Sequence, residues 1–271
     1  MLNDTQTHQF MNEGYVAAPG FFDATEVHLL QKEVARLRQL GLLRNVRVAT
    51  AGDGASPPQN LQLCPAHPHS RVVRALPFSV KVRAAVTALL GDPTLYHLDQ
   101  IFYKPARAGG GTKWHTDNAY FQYADVMRGM GMWIAIHDAT VETGTMHVVP
   151  RSHLQTFAHQ RDAQSDHHIF CDVNTSEAVA VELPAGGALF FNYGVAHCTT
   201  DNRSERDRAG LALHFQHHPG PPVGQDDRAP STIFADALIT GPAATFGQSE
   251  LGESMEGVWE SLVKMFSREV V

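Results

Sequence analysis

ALFFNYGVAHCTTDNRSERDRAGLALHFQ, residues 188–216, decides the fold. Two short apolar and aromatic runs, 188–197 and 208–216, flank TTDNRSERD, whose Asn, Asp and Ser side chains favour a turn. The same texture recurs upstream in LYHLDQIFYKP (95–105), TKWHTDNAY (112–120), GMWIAIHDA (131–139), TMHVVP (145–150) and AVAVELP (178–184). Runs of this kind, punctuated by Gly, Pro and Asn and not separated by helical periods, predict an antiparallel sandwich or barrel over about 92–218.

Helices are expected on both sides of that core. In the mixed N-terminal part, 1 to about 91, Asp23 and Glu26 form a capping-box signature, and Val27, Leu30, Val34 and Leu37 follow at helical spacing until Gly41. A second helix is predicted from Phe78 to Leu90, and 44–68 reads as a long loop. After loop-like residues 217–250, a C-terminal helix over about 250–268 places Met255, Val258, Trp259, Leu262, Met265 and Phe266 on one face. That face either packs on the barrel or forms a homodimer contact. No linker or repeat divides the chain, so 1–271 reads as one domain, mainly β with flanking helices.

Composition narrows the function. The chain has 271 residues, 43% of them hydrophobic, enough for a sizeable core. With 28 acidic against 21 basic side chains the net charge is −7, and no Lys/Arg run invites nucleic acid or an anionic membrane. No membrane-spanning run or leader pattern is evident, and Cys64, Cys171 and Cys198 form no CxxC pair. These features predict a soluble, cytoplasmic protein.

The chemistry is concentrated in WHTDNAYF, 114–121. On a strand, His115 and Asp117 would share a face and could ligate one ion from the same side. His197, at the end of ALFFNYGVAH, supplies a second imidazole if the barrel mouth brings these runs together. Two imidazoles and one carboxylate make the facial triad of non-haem Fe(II) oxygenases, which leaves three positions for other ligands. Arg208 opens the run after the turn and could grip a carboxylate bidentately, while Arg203 and Arg206 compete for that role from the turn itself. His147 and His153 read as structural. His214, His217 and His218 are surplus to a complete triad, and Cys198 should point away from the metal.

From Asn12 to Phe215 the sequence resembles the phytanoyl-CoA hydroxylase-like (phytanoyl-CoA dioxygenase) branch of the Fe(II)- and 2-oxoglutarate-dependent oxygenases. Four stretches carry the likeness: WHTDNAYF, GMWIAIHDATVETGTMHVVPRSH, PAGGALFFNYGVAH and NRSERDRAGLALHF. The resemblance implies a double-stranded β-helix, or jelly roll. It also implies iron ligands at His115, Asp117 and His197, and a 2-oxoglutarate site made by Arg208 and Thr199 with contacts from Trp133 and Gln100. The implied reaction uses O2 to hydroxylate an unactivated C–H bond, with release of succinate and CO2; related halogenases lack the carboxylate found here as Asp117. A cupin-type metalloenzyme independent of 2-oxoglutarate and a degenerate binding protein are the competing readings. The acidic composition favours a free small molecule over a CoA ester, with 44–68 and the segment after Asn118 as expected substrate walls.

Overall fold

A computed structural model describes residues 2–48, 59–218 and 234–269. Its strands in chain order are β1 (Tyr15–Ala18), β2 (Arg44–Asn45), β3 (Leu61–Leu63), β4 (Thr94–Lys104), β5 (Thr112–His115), β6 (Gly129–Ala135) and β7 (Met146–Val148). They continue with β8 (His159–Arg161), β9 (Ile169–Cys171), β10 (Val179–Val181), β11 (Ala188–Asn192), β12 (His197–Thr199), β13 (Arg208–His217) and β14 (Ala237–Leu238). The helices are α1 (Asp4–Glu13), α2 (Ala24–Gln39), α3 (Arg71–Ala75), α4 (Val80–Leu90), α5 (Asn118–Phe121) and α6 (Val258–Glu269).

The strands form a jelly roll. Its large sheet runs β1-β11-β6-β13-β4-β3-β2, with β14 also on β4, and its small sheet runs β10-β7-β12-β5. Alternation along the strands divides the core in two. Trp133, Ala135, Leu189, Phe191 and Ala212 lie with Met146 and Val148 between the sheets. Met132, Ile134, Leu211, Leu213 and Phe190 face the other way, toward the helices.

The helical layer follows local sequence rules. Asp23 accepts the amides of Thr25 and Glu26 at 2.9 and 3.0 Å, and Glu26 returns a bond to the Asp23 amide at 2.9 Å, so the predicted capping box starts α2. Leu29, Leu30, Val34 and Leu37 bury the inner face of that helix. Glu26 also accepts Trp259 Nε1 at 3.0 Å and pairs with Lys81 at 2.5 Å, which ties α2 to α6 and α4. The buried carboxylate is thereby supplied with donors.

Four expectations are corrected. Residues 44–68 include β2 and β3, which extend the large sheet beyond β4, although 49–58 lie outside the described residues. The helix predicted from Phe78 begins at Val80, after a 3-10 turn over Leu76–Phe78. Of 217–250, residues 219–233 lie outside the described part, and β14 adds a short strand from the remainder. The C-terminal helix expected from about 250 begins at Val258; Met255, which precedes it, is buried together with Trp259 and Phe266, while Met265 is 61% exposed. Leu262, as expected, and Val263, which was not, are partly buried against the core, leaving Met265 outside the packed stripe.

Candidate active site

β5 pairs with β12 so that His115 stands opposite His197, with ring centroids 4.3 Å apart. The register shifts between this pair and the next, Thr112 opposite Thr199, and such irregularities re-aim side chains. Asp117 does not lie on the strand. β5 stops at His115, and Asp117, at φ −64° and ψ −28°, leads into α5. A helical turn, and not the strand pleat, therefore brings the carboxylate back toward His115. Bonds from the Asn118 amide to the Tyr193 carbonyl (2.8 Å) and from Asn118 Nδ2 to the Tyr123 carbonyl (2.9 Å) fasten this turn. His197 likewise opens β12 and does not close the preceding strand, which ends at Asn192.

Ligand atoms of His115, Asp117 and His197 lie within 4.8 Å of one another, the one such group of three or more His, Cys, Asp or Glu among the described residues. Asp117 Oδ1 is 3.7 Å from His197 Nε2 and 4.0 Å from His115 Nε2. The other nitrogen of each ring is engaged by backbone: His115 Nδ1 with the Lys113 carbonyl at 2.8 Å, His197 Nδ1 with the Val195 carbonyl at 3.0 Å. Carbonyls accept only, so both Nδ1 atoms carry the proton and both Nε2 lone pairs are left for an ion. Burial pulls both imidazoles down to about 4, with the neighbouring His197 adding to the effect on His115, so both are neutral, the ligating form.

Deeper in the barrel, Arg208 has a relative exposure of 0%. Its Nη2 donates to the Gly144 carbonyl, while Nε and Nη1 have no hydrogen-bond partner. Burial lowers its guanidinium to about 9, still cationic at neutral pH. Arg203 and Arg206, the competitors in the turn, are exposed. Opposite Arg208 on β4 is Lys104, also buried, which donates to the Thr199 hydroxyl at 2.9 Å and to the Thr200 carbonyl. Burial, and then the charge of Arg208, hold the Lys104 amine well below its usual range. Thr199 Oγ1 also accepts the Thr112 amide at 3.0 Å, so its acceptor capacity is filled and its own O–H remains to donate. The Arg208 guanidinium, the Lys104 amine and a hydroxyl donor thus converge in a buried site, an arrangement suited to a small carboxylate.

The phytanoyl-CoA dioxygenase (PhyH) family model matches residues 10–210. The chain belongs to this family. Among its relatives, phytanoyl-CoA dioxygenase domain-containing protein 1 of Mus musculus is 29% identical over 57% of this chain and 56% of its own length. The ectoine dioxygenase of Sphingopyxis alaskensis is 26% identical over 62% of this chain and 55% of its own length. The match thus spans little more than half the length of these curated relatives. EvdO2 from Micromonospora carbonacea var. aurantiaca, solved in complex with 2-oxoglutarate, superposes with a TM-score of 0.64 at 25% identity, covering 82% of this chain and 96% of that one.

In this member of the phytanoyl-CoA dioxygenase family, Trp133, Ala212 and Gln100 form one row across β6, β13 and β4. The Trp133 indole lies over Arg208, 5.3 Å from ring centroid to Cζ. Gln100 Nε2 donates to Gln62 Oε1 at 2.5 Å, and Gln62 Nε2 reaches Asn60 Oδ1 at 3.0 Å and His168 Nε2 at 3.2 Å. Glycines allow the close approaches here. A Cβ on Gly210 would come within 2.4 Å of the Trp133 ring, and one on Gly109 within 2.4 Å of Lys104 Cβ.

Sequence reasoning missed Lys104, whose signal was a charged residue closing an apolar strand just before Pro105. It also missed Gln62 and His168, which short strands and a small hairpin deliver without any periodic signal. His214 was set aside as a ligand, and it lies outside the group of three, but it stands 3.9 Å from Asp117.

Proposed function

We propose that this protein is an Fe(II)- and 2-oxoglutarate-dependent oxygenase that hydroxylates an unactivated C–H bond of a small molecule. The observation that carries this reading is the buried, half-unpartnered Arg208, set beside Lys104 in the barrel that holds the His115, Asp117 and His197 group. The residues present fit both implied groups: three ligand atoms on one side suit an open octahedral ion, and the Arg208 guanidinium with the Lys104 amine beside it suits the far carboxylate of a dicarboxylate.

His115, Asp117 and His197 would hold the iron, and Arg208, Thr199 and Lys104 the distal carboxylate of 2-oxoglutarate. When bound, iron and 2-oxoglutarate supply the oxidising chemistry with O2, releasing succinate and CO2. The chain's own contribution is positional. Trp133 lies over the guanidinium and shields it, while the Nδ1 contacts of the two imidazoles fix their orientation before any ligand arrives. Gln100, tied to Gln62, presents an amide edge to the same cavity row.

Free Cys64, Cys171 and Cys198 accord with a reducing, cytoplasmic setting, and among the described residues no helix is long and apolar enough to cross a membrane. The chain acts as one domain, in which α6 packs Trp259 and Phe266 into the core, and a homodimer contact would form at the exposed Met265.

Anaerobic reconstitution with Fe(II), followed by measurement of 2-oxoglutarate-dependent succinate formation, tests the reading. Wild-type protein should form succinate at a rate that rises with a turned-over substrate. His115→Ala should lose both iron and succinate formation. Equal iron content and activity in that variant would overturn the ligand assignment.

A further inference from the structure

Asp117 has two carboxylate oxygens with different surroundings. Oδ1 faces the Nε2 atoms of His115 and His197. Oδ2 is buried, has no hydrogen-bond partner, and lies 3.9 Å from Nδ1 of His214, which is also buried and unpartnered. Two complementary polar atoms are thus desolvated side by side, each costing stability until it is satisfied. A closure of about 1 Å, within the range of a small side-chain rotation, would bring them to hydrogen-bond length.

The fold holds His214 in this place from three directions. On β13, His214 lies opposite Leu98 of β4 and Gly131 of β6, immediately before the register shift at Phe215. Alternate residues from Arg208 through Gly210 and Ala212 share its face, so it belongs to the barrel interior. Phe121 and Tyr193 pack against its ring at centroid distances of 5.3 and 5.9 Å. Phe121 stacks on Tyr193 at 4.5 Å, closing an aromatic wall around the imidazole. The ring therefore has little room to turn away from Asp117.

We propose that His214 is a positioning residue for the metal centre, donating from Nδ1 to Oδ2 of Asp117 so that Oδ1 alone is presented to the ion. This rests on the iron site proposed above. Monodentate presentation keeps coordination positions open, whereas an unrestrained carboxylate can rotate and chelate through both oxygens. Partners that orient a ligating side chain are worth 10- to 100-fold in metal affinity.

The test is the Fe(II) dissociation constant of purified protein, measured anaerobically, together with the KM for 2-oxoglutarate. Two substitutions separate donation from packing. Asn places an amide N–H near the position of Nδ1, while Leu fills space without a donor. His214→Leu should weaken Fe(II) binding about 10- to 100-fold. His214→Asn should stay within a few-fold of wild type, and the KM for 2-oxoglutarate at saturating iron should be unchanged in both. Equal loss in both variants would assign the ring a packing role, and loss as complete as in His115→Ala would make it a ligand; either overturns the proposal. Tight wild-type binding that His214→Leu leaves intact would overturn it while sparing the iron site. A wild-type protein that takes up no Fe(II) would remove the site and the proposal together.

Discussion

The indole of Trp133 rests over the guanidinium of Arg208, and it can do so because residue 210, between them on β13, has no side chain. The aromatic face meets a buried cation in a site where each group limits the movement of the other.

Gly210→Ala would place a methyl group 2.4 to 2.6 Å from three indole atoms. The ring must shift, at a cost of about 1–3 kcal/mol for overpacking. Tryptophan fluorescence should change and the KM for 2-oxoglutarate should rise several-fold. A variant with the wild-type KM and emission spectrum would show that the ring does not steady Arg208.

Arg208→Lys keeps a cation but loses the planar fork. Apparent affinity for 2-oxoglutarate should fall roughly tenfold or more, as expected for losing a charge-assisted bond of about 1.5–3 kcal/mol. Arg206, whose side chain is 64% exposed, should tolerate the same change without effect. The reverse pattern in steady-state kinetics would mean that the anion site lies in the turn.

In the proposed iron site, Asp117 would fill a position that a halide otherwise needs. Wild-type protein should therefore give hydroxylated and not chlorinated product in excess chloride, and Asp117→Gly should lose iron. Mass spectrometry of the product reads the first outcome and metal analysis the second. A chlorinated product from unmutated protein would move Asp117 off the iron.

His168 sets a pH dependence. Burial first, then the charges of His167 and His115, pull its imidazole from 6.5 to about 3. A histidine with a depressed folded value is protonated first in the unfolded chain. Its contribution to stability is therefore complete above about pH 6.5 and is lost as pH falls toward 3, at up to about 1.4 kcal/mol per pH unit. Urea midpoints between pH 7 and 4 should fall more steeply for wild type than for His168→Gln, which can still accept from Gln62. Parallel curves would mean that His168 is already charged in the folded protein.

Legibility in the sequence tracked the range of the interaction involved. The Asp23 and Glu26 cap was readable because its partners are three residues apart, and Arg208 stood apart from Arg203 and Arg206 because it opens an apolar strand while they sit in a polar turn. The meeting of His115 and His197 was legible, but the placement of Asp117 on the same strand was not right, since nothing in a local pattern shows that β5 ends at His115 and the chain turns into α5. β3, β8 and β9, at three residues each, are too short to display a period, so Gln62 and His168 had no local signal. Lys104 gains its meaning only from Arg208, its cross-strand neighbour about a hundred residues away.

His115 and His197 are cross-strand partners separated by about eighty residues of chain. An ion held between them would act as a clasp on the small sheet, because the unfolded chain has no comparable ligand set to offer it. Binding and folding are then thermodynamically linked, and free metal at a hundred times its dissociation constant would add about 2.7 kcal/mol to the folded state. The melting temperature would then depend on how much iron the surroundings supply, so scarcity of the metal would shorten the life of the protein as well as silence it.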